Sequence, residues 1–375
     1  MSLAVRWLDR IAAVPAADWD ALHGGDHPFV AHAFLDAFET SGSLRLDLGW
    51  RAEHPTLWRD GTLIAAAPGY RKANSHGEFV FDFAFADAYE RSIGDYYPKR
   101  LVAVPYSPVP GPRLLARTEA DRRALVELLA EDTRARGWSS AHVNFLPEAE
   151  CAAFDDAWLP RHDWQFHWSN RGYRDFADFL DALTAKKRKN IRQERARLAR
   201  DGWRFERRAG AELSAEDIDF IHRCYVRTFA DKGNTPALTR EFFERICRDL
   251  PMRTQAVFAL RGDEPLACAF LLQSGTTLYG RYWGCLEDAP GLHFETCYHQ
   301  GIEHAIAHGL QVFEPGAQGE HKIARGFLPV RTHSRHYFAH AGFRQAIADY
   351  LKREAQHLER YREAVLRHSP YGATP

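Results

Sequence analysis

Two kinds of hydrophobic spacing alternate along this chain, and they occur in the same order twice. In the first half, apolar residues at helical spacing predict helices over about 16–22 and 28–40. Apolar runs on either side of Asp60-Gly61 predict a hairpin of 54–59 and 62–71, because Asp-Gly suits the positive backbone angles of a tight turn. Strands are predicted over 78–85 and 100–104, and Val109-Pro110-Gly111-Pro112 must be loop. A helix over 119–136, stopped by Gly137, leads to a strand at 140–145. The second half repeats this. Helices are predicted over 215–229 and 239–250, and a hairpin of 255–261 and 265–273 around Gly262-Asp263. A strand at 277–284, a helix at 293–308 ended by Gly309 and a strand at 311–314 follow. Residues 338–343 read as a last strand and 344–367 as a long amphipathic helix.

Helix–helix–hairpin–strand–helix–strand, twice, implies a duplicated α/β unit with mixed sheets. Residue identity between the halves is weak, so the element order carries this inference. The length of 375 residues fits two domains. The expected boundary puts 1–170 in one unit and 171–375 in the other, which begins with a basic helix over 174–201. Phe176, Leu180, Leu183, Ile191 and Leu198 form that helix's apolar stripe.

Charge sharpens the picture at that helix. The whole chain carries −1, so it has no global attraction for nucleic acid or an acidic membrane. Residues 185–208 nevertheless hold eleven Lys or Arg and three acids, a local +8. Lys186, Lys187, Arg188, Lys189 and Arg192 point all round the helix axis and repel one another unless an anion is near. They are candidates for gripping the phosphates of a carrier, either coenzyme A or a tRNA backbone. A solvated helix face is the alternative. The hydrophobic fraction of 45% supports an ordinary core, and no apolar run is long enough to span a membrane. Charges interrupt the N-terminal apolar stretch, so no signal peptide is expected there. The six cysteines are widely spaced without a C-x-x-C pair, which fits reduced thiols in the cytoplasm.

Four further segments carry candidate chemistry. In 277–285, strand alternation puts Tyr279, Arg281 and Trp283 on one face, a cleft wall or a covered structural arginine. In 292–306, Glu295, His299 and Ile302 share a helix face. His304 and His308 have metal-ligand spacing but no third ligand, so no metal is expected. In 312–327, a short strand runs into a glycine-containing turn crowded with Glu314, Gln318, Glu320, His321, Lys322 and Arg325, the kind of strand end where α/β proteins place ligands. In 77–90, Asp82, Asp87 and Glu90, with Tyr89 beside them, could receive an ammonium group, or could equally be a strand edge and a helix cap.

The element order resembles the GNAT (Gcn5-related N-acetyltransferase) unit, whose sheet splays about its middle strands. More specifically, EFVFDFAFADAYER (78–91), KKRKNIRQER (186–195), LYGRYWGC (278–285) and FEPGAQGEHKIARGFLP (313–329) resemble the FemAB-like N-acyltransferase proteins, as do segments between about 28 and 350. The resemblance implies tandem GNAT-like units and acyl transfer to an amine. Fem transferases carry a Lys near a Gly-Phe late in the second unit, and Lys322 with Gly326-Phe327 is similar. The usual GNAT pyrophosphate loop has no clean counterpart, which bears against simple acetyl-CoA use.

The expected reaction is direct transfer from acyl-CoA or aminoacyl-tRNA to a small amine or amino-acid-like acceptor in a ternary complex. These carriers are co-substrates, and no permanently bound cofactor and no membrane insertion are expected. Lys322 or Arg281 would stabilise the oxyanion, and Glu320, His321 or Glu295 would take the amine proton. Asp82, Asp87, Tyr89, Tyr279, Trp283, Glu295, Glu314, Gln318 and Arg325 would contact substrate. The alternative is a non-catalytic module that recognises a cell-wall precursor or RNA.

Overall fold

The computed structural model describes residues 3–316 and 319–372. The chain forms two compact units, Met1–Asp163 with Arg331–Arg360, and Trp164–Val330 with Tyr361–Pro375.

The first unit begins with β1 (Leu3–Leu8), α1 (Ala16–Asp20), α2 (His32–Thr40) and β2 (Trp50–Ala52). The hairpin at Asp60-Gly61 joins β3 (His54–Arg59) to β4 (Thr62–Ala66), with both turn residues at positive φ, 47° and 81°. The second hairpin arm breaks at Pro68 and resumes as β5 (Gly69–Lys72). Then come α3 (Phe83–Ser92), β6 (Lys99–Val102), β7 (Leu115–Ala116), α4 (Glu119–Ala135), β8 (Ser140–Leu146) and β9 (Trp158–Ser169). Thr118 caps α4 by accepting from the Asp121 N–H, and the helix buries Leu125, Val126 and Leu129.

The strand expected over 78–85 does not form. Phe79 sits at φ 60°, which a regular strand excludes, and α3 starts at Phe83. Here the two acids face in and three of the aromatic residues face out. Glu78 and Asp82 are buried because Lys99 Nζ lies 2.9 and 2.6 Å from their carboxylates, while Phe79, Phe81 and Phe83 are exposed.

The second unit takes the end of β9 from Trp164 onward and continues with α5 (Phe176–Asp181) and α6 (Ala185–Arg200), two helices separated at Leu183-Thr184 where one was expected. They are followed by β10 (Trp203–Ala209), α7 (Ala215–Asp231), α8 (Arg240–Asp249), β11 (Thr254–Arg261), β12 (Glu264–Gln273) and β13 (Thr277–Cys285). The next helix is continuous but not uniform. It runs from α9 (Leu292–Phe294) through a π-helical turn, Glu295–His299, into α10 (Gln300–Ala307). The chain continues through β14 (Val312–Glu314) and a 3₁₀ turn, Glu320–Arg325, into β15 (Leu328–Phe338) and α11 (Ala341–Leu366). Strands β1, β2, β7, β9, β10 and nearly all of β15 are additions to the sequence-based reading, and the last strand expected over 338–343 gives way to the end of β15 at Phe338 and the start of α11 at Ala341.

Each unit contains the same local order. In the first, β5 and β6 are antiparallel, α4 connects β6 to a parallel β8, and β15 lies antiparallel to β8. In the second, β12 and β13 are antiparallel, α9–α10 connects β13 to a parallel β14, and β9 lies antiparallel to β14. The fold is mixed α/β, with the same sheet order repeated in the two units. The second unit's core gathers Trp168, Phe179, Ile191, Leu278, Ile302 and Phe327.

Candidate functional site

Two irregularities of β13 shape the second unit's centre. Its parallel pairing with β14 ends at Tyr279↔Glu314, after which β13 continues without that neighbour. Its register with β12 slips there as well: Phe270 opposes Tyr282 and Leu271 opposes Gly280. Arg281 is therefore the extra residue of a β-bulge, which re-aims a side chain and breaks the period of two. This corrects the expected grouping of Tyr279, Arg281 and Trp283. Tyr279 shares a face with Tyr282, because their partners Leu272 and Phe270 are two apart. Trp283, opposite Ala269, packs against the core that contains Leu278 and Leu271. A Cβ at Gly280 would come within 3.2 Å of the Pro315 Cα, so glycine lets the turn after β14 approach the bulge.

Lys322 lies in the 3₁₀ turn beyond that strand and is 2% exposed. Its Nζ donates to the Gly316 carbonyl at 2.5 Å. Among the described residues no carboxylate lies within ion-pairing distance of it. Burial pushes its pKa down to about 7; the Cys297 thiol opposes this and the Arg281 charge adds to it.

Histidines face this lysine in neutral form. Burial, with Lys322 adding, lowers His167 on β9 to about 3, and its Nδ1 lies 3.8 Å from Glu314 Oε1. His293 falls to about 4, through burial and then the charges of His321, Arg325 and Lys322. His321, hydrogen-bonded through Nε2 to the Tyr298 hydroxyl at 2.9 Å, is lowered by burial and then by Lys322 and Arg325. A neutral imidazole at pH 7 can accept a proton, and a buried amine near its own pKa can bind one or release one.

The remaining expected site residues are spread more widely. Arg325 is bound to Glu194 of α6 rather than free for substrate. Glu295 is 2% exposed and held by Arg195 at 3.0 Å, His299 Nδ1 at 3.0 Å and the Gln300 amide at 2.8 Å. Burial alone would raise its pKa, but His299, Arg195 and Gln300 outweigh that and hold it below the usual range. Such a carboxylate is a poor base. Gln318 lies outside the described residues, as does the Glu320 side chain. On α6, Lys186, Lys189 and Arg192 are exposed, Lys187 and Arg188 half-buried, and Arg188 and Arg192 both reach Asp181, at 2.9 and 3.7 Å.

Asp82, Asp87 and Tyr89 belong to the first unit. Asp82 accepts from Lys99 and from the Tyr96 hydroxyl at 2.7 Å. Asp87 pairs on the surface with Arg91. Tyr89 is a core residue, its ring 5.0 Å from Phe343. His304 is engaged by Gln273 and Gln255, and among the described residues no cluster has the makings of a metal site. All six cysteines are free thiols, and no described helix is long and apolar enough to cross a membrane.

The family model FemAB-like, peptidoglycan biosynthesis/recognition, matches residues 10–373. The chain belongs to the FemAB-like family. No curated protein matches the sequence. Among solved structures, a C-terminal DUF2156 domain from Agrobacterium fabrum aligns over 89% of this chain and 95% of its own, with 12% identity and a TM-score of 0.55. FemX aligns over 93% of this chain and 100% of its own, with 12% identity and a TM-score of 0.51. L-PGS from Bacillus licheniformis aligns over 85% and 96%, with 11% identity and a TM-score of 0.50. At these identities the likeness is one of fold. In this FemAB-like chain, His167, His293, Cys297 and Glu194 join the site unannounced by the sequence. Only Glu194 lies in a segment quoted above for the resemblance, and none of the four has a spacing that announces a role.

Proposed function

We propose that the second unit is an N-acyltransferase centre. It moves an acyl or aminoacyl group from a phosphate-bearing carrier, acyl-CoA or aminoacyl-tRNA, to an amine by direct attack in a ternary complex. The observation that supports this reading most is Lys322, a buried amine near neutral pKa with no carboxylate partner among the described residues, facing a bulged Arg281 where β13 loses its parallel neighbour. A structural lysine would be paired, because an isolated buried charge is costly. An anion arriving beside Lys322 would raise its pKa and bring in a proton, so that the charge is present when the anion is.

In the reaction the amine nitrogen attacks the carrier's carbonyl carbon and the carbonyl π pair moves to oxygen. Lys322 and Arg281 stabilise that oxyanion. Neutral His321 takes the proton the amine loses, and the C–S or C–O bond to the carrier breaks, the leaving sulfur or oxygen accepting a proton. The basic face of α6 would bind the carrier's phosphates. The family's peptidoglycan description agrees with an amine on a cell-wall precursor as acceptor.

The test uses hydroxylamine as a surrogate amine with acetyl-CoA or with a mixed aminoacyl-tRNA pool. Hydroxamate formation by the wild-type protein, lowered about 10²–10³-fold in a folded Lys322→Ala variant, is expected. Sensitivity to RNase assigns the tRNA carrier. Equal rates for the wild-type and Lys322→Ala proteins would move the centre elsewhere, and no hydroxamate with either donor would favour a recognition module.

A further inference from the structure

Helix α6 carries one acid among its many bases, Glu194. Both of its carboxylate oxygens lie 3.1 Å from Arg325 Nη2. The Arg325 guanidinium lies 3.3 Å over the Phe294 ring, and its Nη1 donates to the His321 carbonyl at 3.2 Å. Arg325 thereby ties three parts of the unit together: the basic helix, α9, and the turn that carries Lys322. The next residue of α6, Arg195, anchors the same helix elsewhere, to Glu295 at 3.0 Å and Glu303 at 2.7 Å. Two adjacent residues thus fasten α6 at two points, and only one of them reaches the lysine turn. Partly exposed ion pairs add little stability, but a planar guanidinium held by a carboxylate, a ring and a carbonyl fixes geometry. A transfer centre needs that, since the carrier's phosphates and its reacting carbonyl must be gripped at a set spacing.

We propose that Glu194 is a positioning residue: through Arg325 it locks the turn bearing Lys322 to the basic helix, so that the carrier grip and the charge on the reacting carbonyl act at one fixed spacing. This rests on the reading of Lys322 above, and its test needs no substrate. The groups facing Lys322 are Arg281 from β13, Cys297 from the π-helical turn, His167 from β9, His293 from α9 and His321 from its own turn. With these unchanged, the titration of Lys322 reports how well its turn is closed against water.

The experiment follows reductive methylation of Lys322 by formaldehyde and cyanoborohydride against pH, read by mass spectrometry. The wild-type midpoint is expected near 7. In Glu194→Gln the turn opens to water, and the midpoint rises by at least about one pH unit toward the ordinary lysine value, with an unchanged circular dichroism spectrum. Arg325→Lys, which loses the fork, shifts it in the same direction. Arg195→Gln lowers Tm by loosening the other anchor and leaves the midpoint in place. An unmoved midpoint in Glu194→Gln, or an equal shift in Arg195→Gln, overturns the proposal. A shifted midpoint in a protein that makes no hydroxamate would sink the transfer reading and leave the coupling standing.

Discussion

The Lys322 side-chain nitrogen lies 2.5 Å from the carbonyl oxygen of Gly316, six residues earlier in the chain. A backbone carbonyl satisfies one donor of the amine without supplying a counter-charge. The turn therefore keeps Lys322 oriented, buried and close to neutral, a state in which it responds strongly to any anion placed beside it.

That state has a stability cost with a defined pH dependence. An unfolded lysine keeps its proton up to about pH 10.4, whereas Lys322 in the fold releases it near 7. Between these values the unfolded chain binds more protons than the folded one, so this group makes stability rise with pH. Lys322→Met, which keeps the volume and removes the amine, is expected to stabilise the protein at pH 7 by about 1–4 kcal/mol. The gain should shrink toward zero near pH 10. Urea unfolding at pH 7 and pH 9.5 checks both statements, and a Met variant that is less stable at pH 7 contradicts them.

The basic run of α6 makes a separate prediction. Lys186, Lys187 and Lys189 have no ion-pair partner among the described residues, whereas Arg188 and Arg192 share Asp181. Replacing the three lysines with Ala should weaken binding of deacylated tRNA or coenzyme A. If the carrier is tRNA, the slope of log affinity against log salt should fall by about 0.7–0.9 for each phosphate that is no longer neutralised. Melting temperature should stay nearly constant, because the three side chains make no ion pair among the described residues. An unchanged slope and affinity would reduce the run to a solvated face.

In the first unit, Lys99 is fully buried between Glu78 and Asp82. Lys99→Met should destabilise the protein by about 3–5 kcal/mol, because it leaves two carboxylates buried without their cation. The loss should lessen as pH falls and those carboxylates take up protons; burial already raises Glu78 to about 7 against the pull of Lys99. Adding Glu78→Gln and Asp82→Asn to Lys99→Met should recover part of the loss. Thermal unfolding of the single and triple variants at neutral pH decides this. Equal melting temperatures for wild type and Lys99→Met would show that the network is not under this strain.

Element order was legible where local chemistry dominates. Asp60-Gly61 and Gly262 specify their hairpins through the backbone angles they tolerate, and the 3.6-residue stripes of α4 and α7 mark helices whatever they pack against. The segment 78–85 misled for a related reason: its alternation is real, but Glu78 and Asp82 are buried while Phe79, Phe81 and Phe83 are exposed. Only Lys99, 21 residues from Glu78, reverses the expected faces.

By itself, the sequence determined the repeated α/β order, the local excess of charge on α6 and the polar crowding around 314–325, because these depend on residues close together in the chain. The tertiary structure decided the rest. It sends residues 331–360 back to the first unit, where Phe343, Ile347 and Leu351 bury against Phe85, Tyr89 and Tyr96. It inserts Arg281 as a bulge, which no two-residue period foretells. It buries Lys322 beside Cys297 and Arg281, and joins Glu194 to Arg325 across 131 residues. Periodicity reports which face of an element is apolar. Which charged group meets which partner, and whether water reaches it, depends on contacts between segments far apart in the chain, and those exist only once both units have folded.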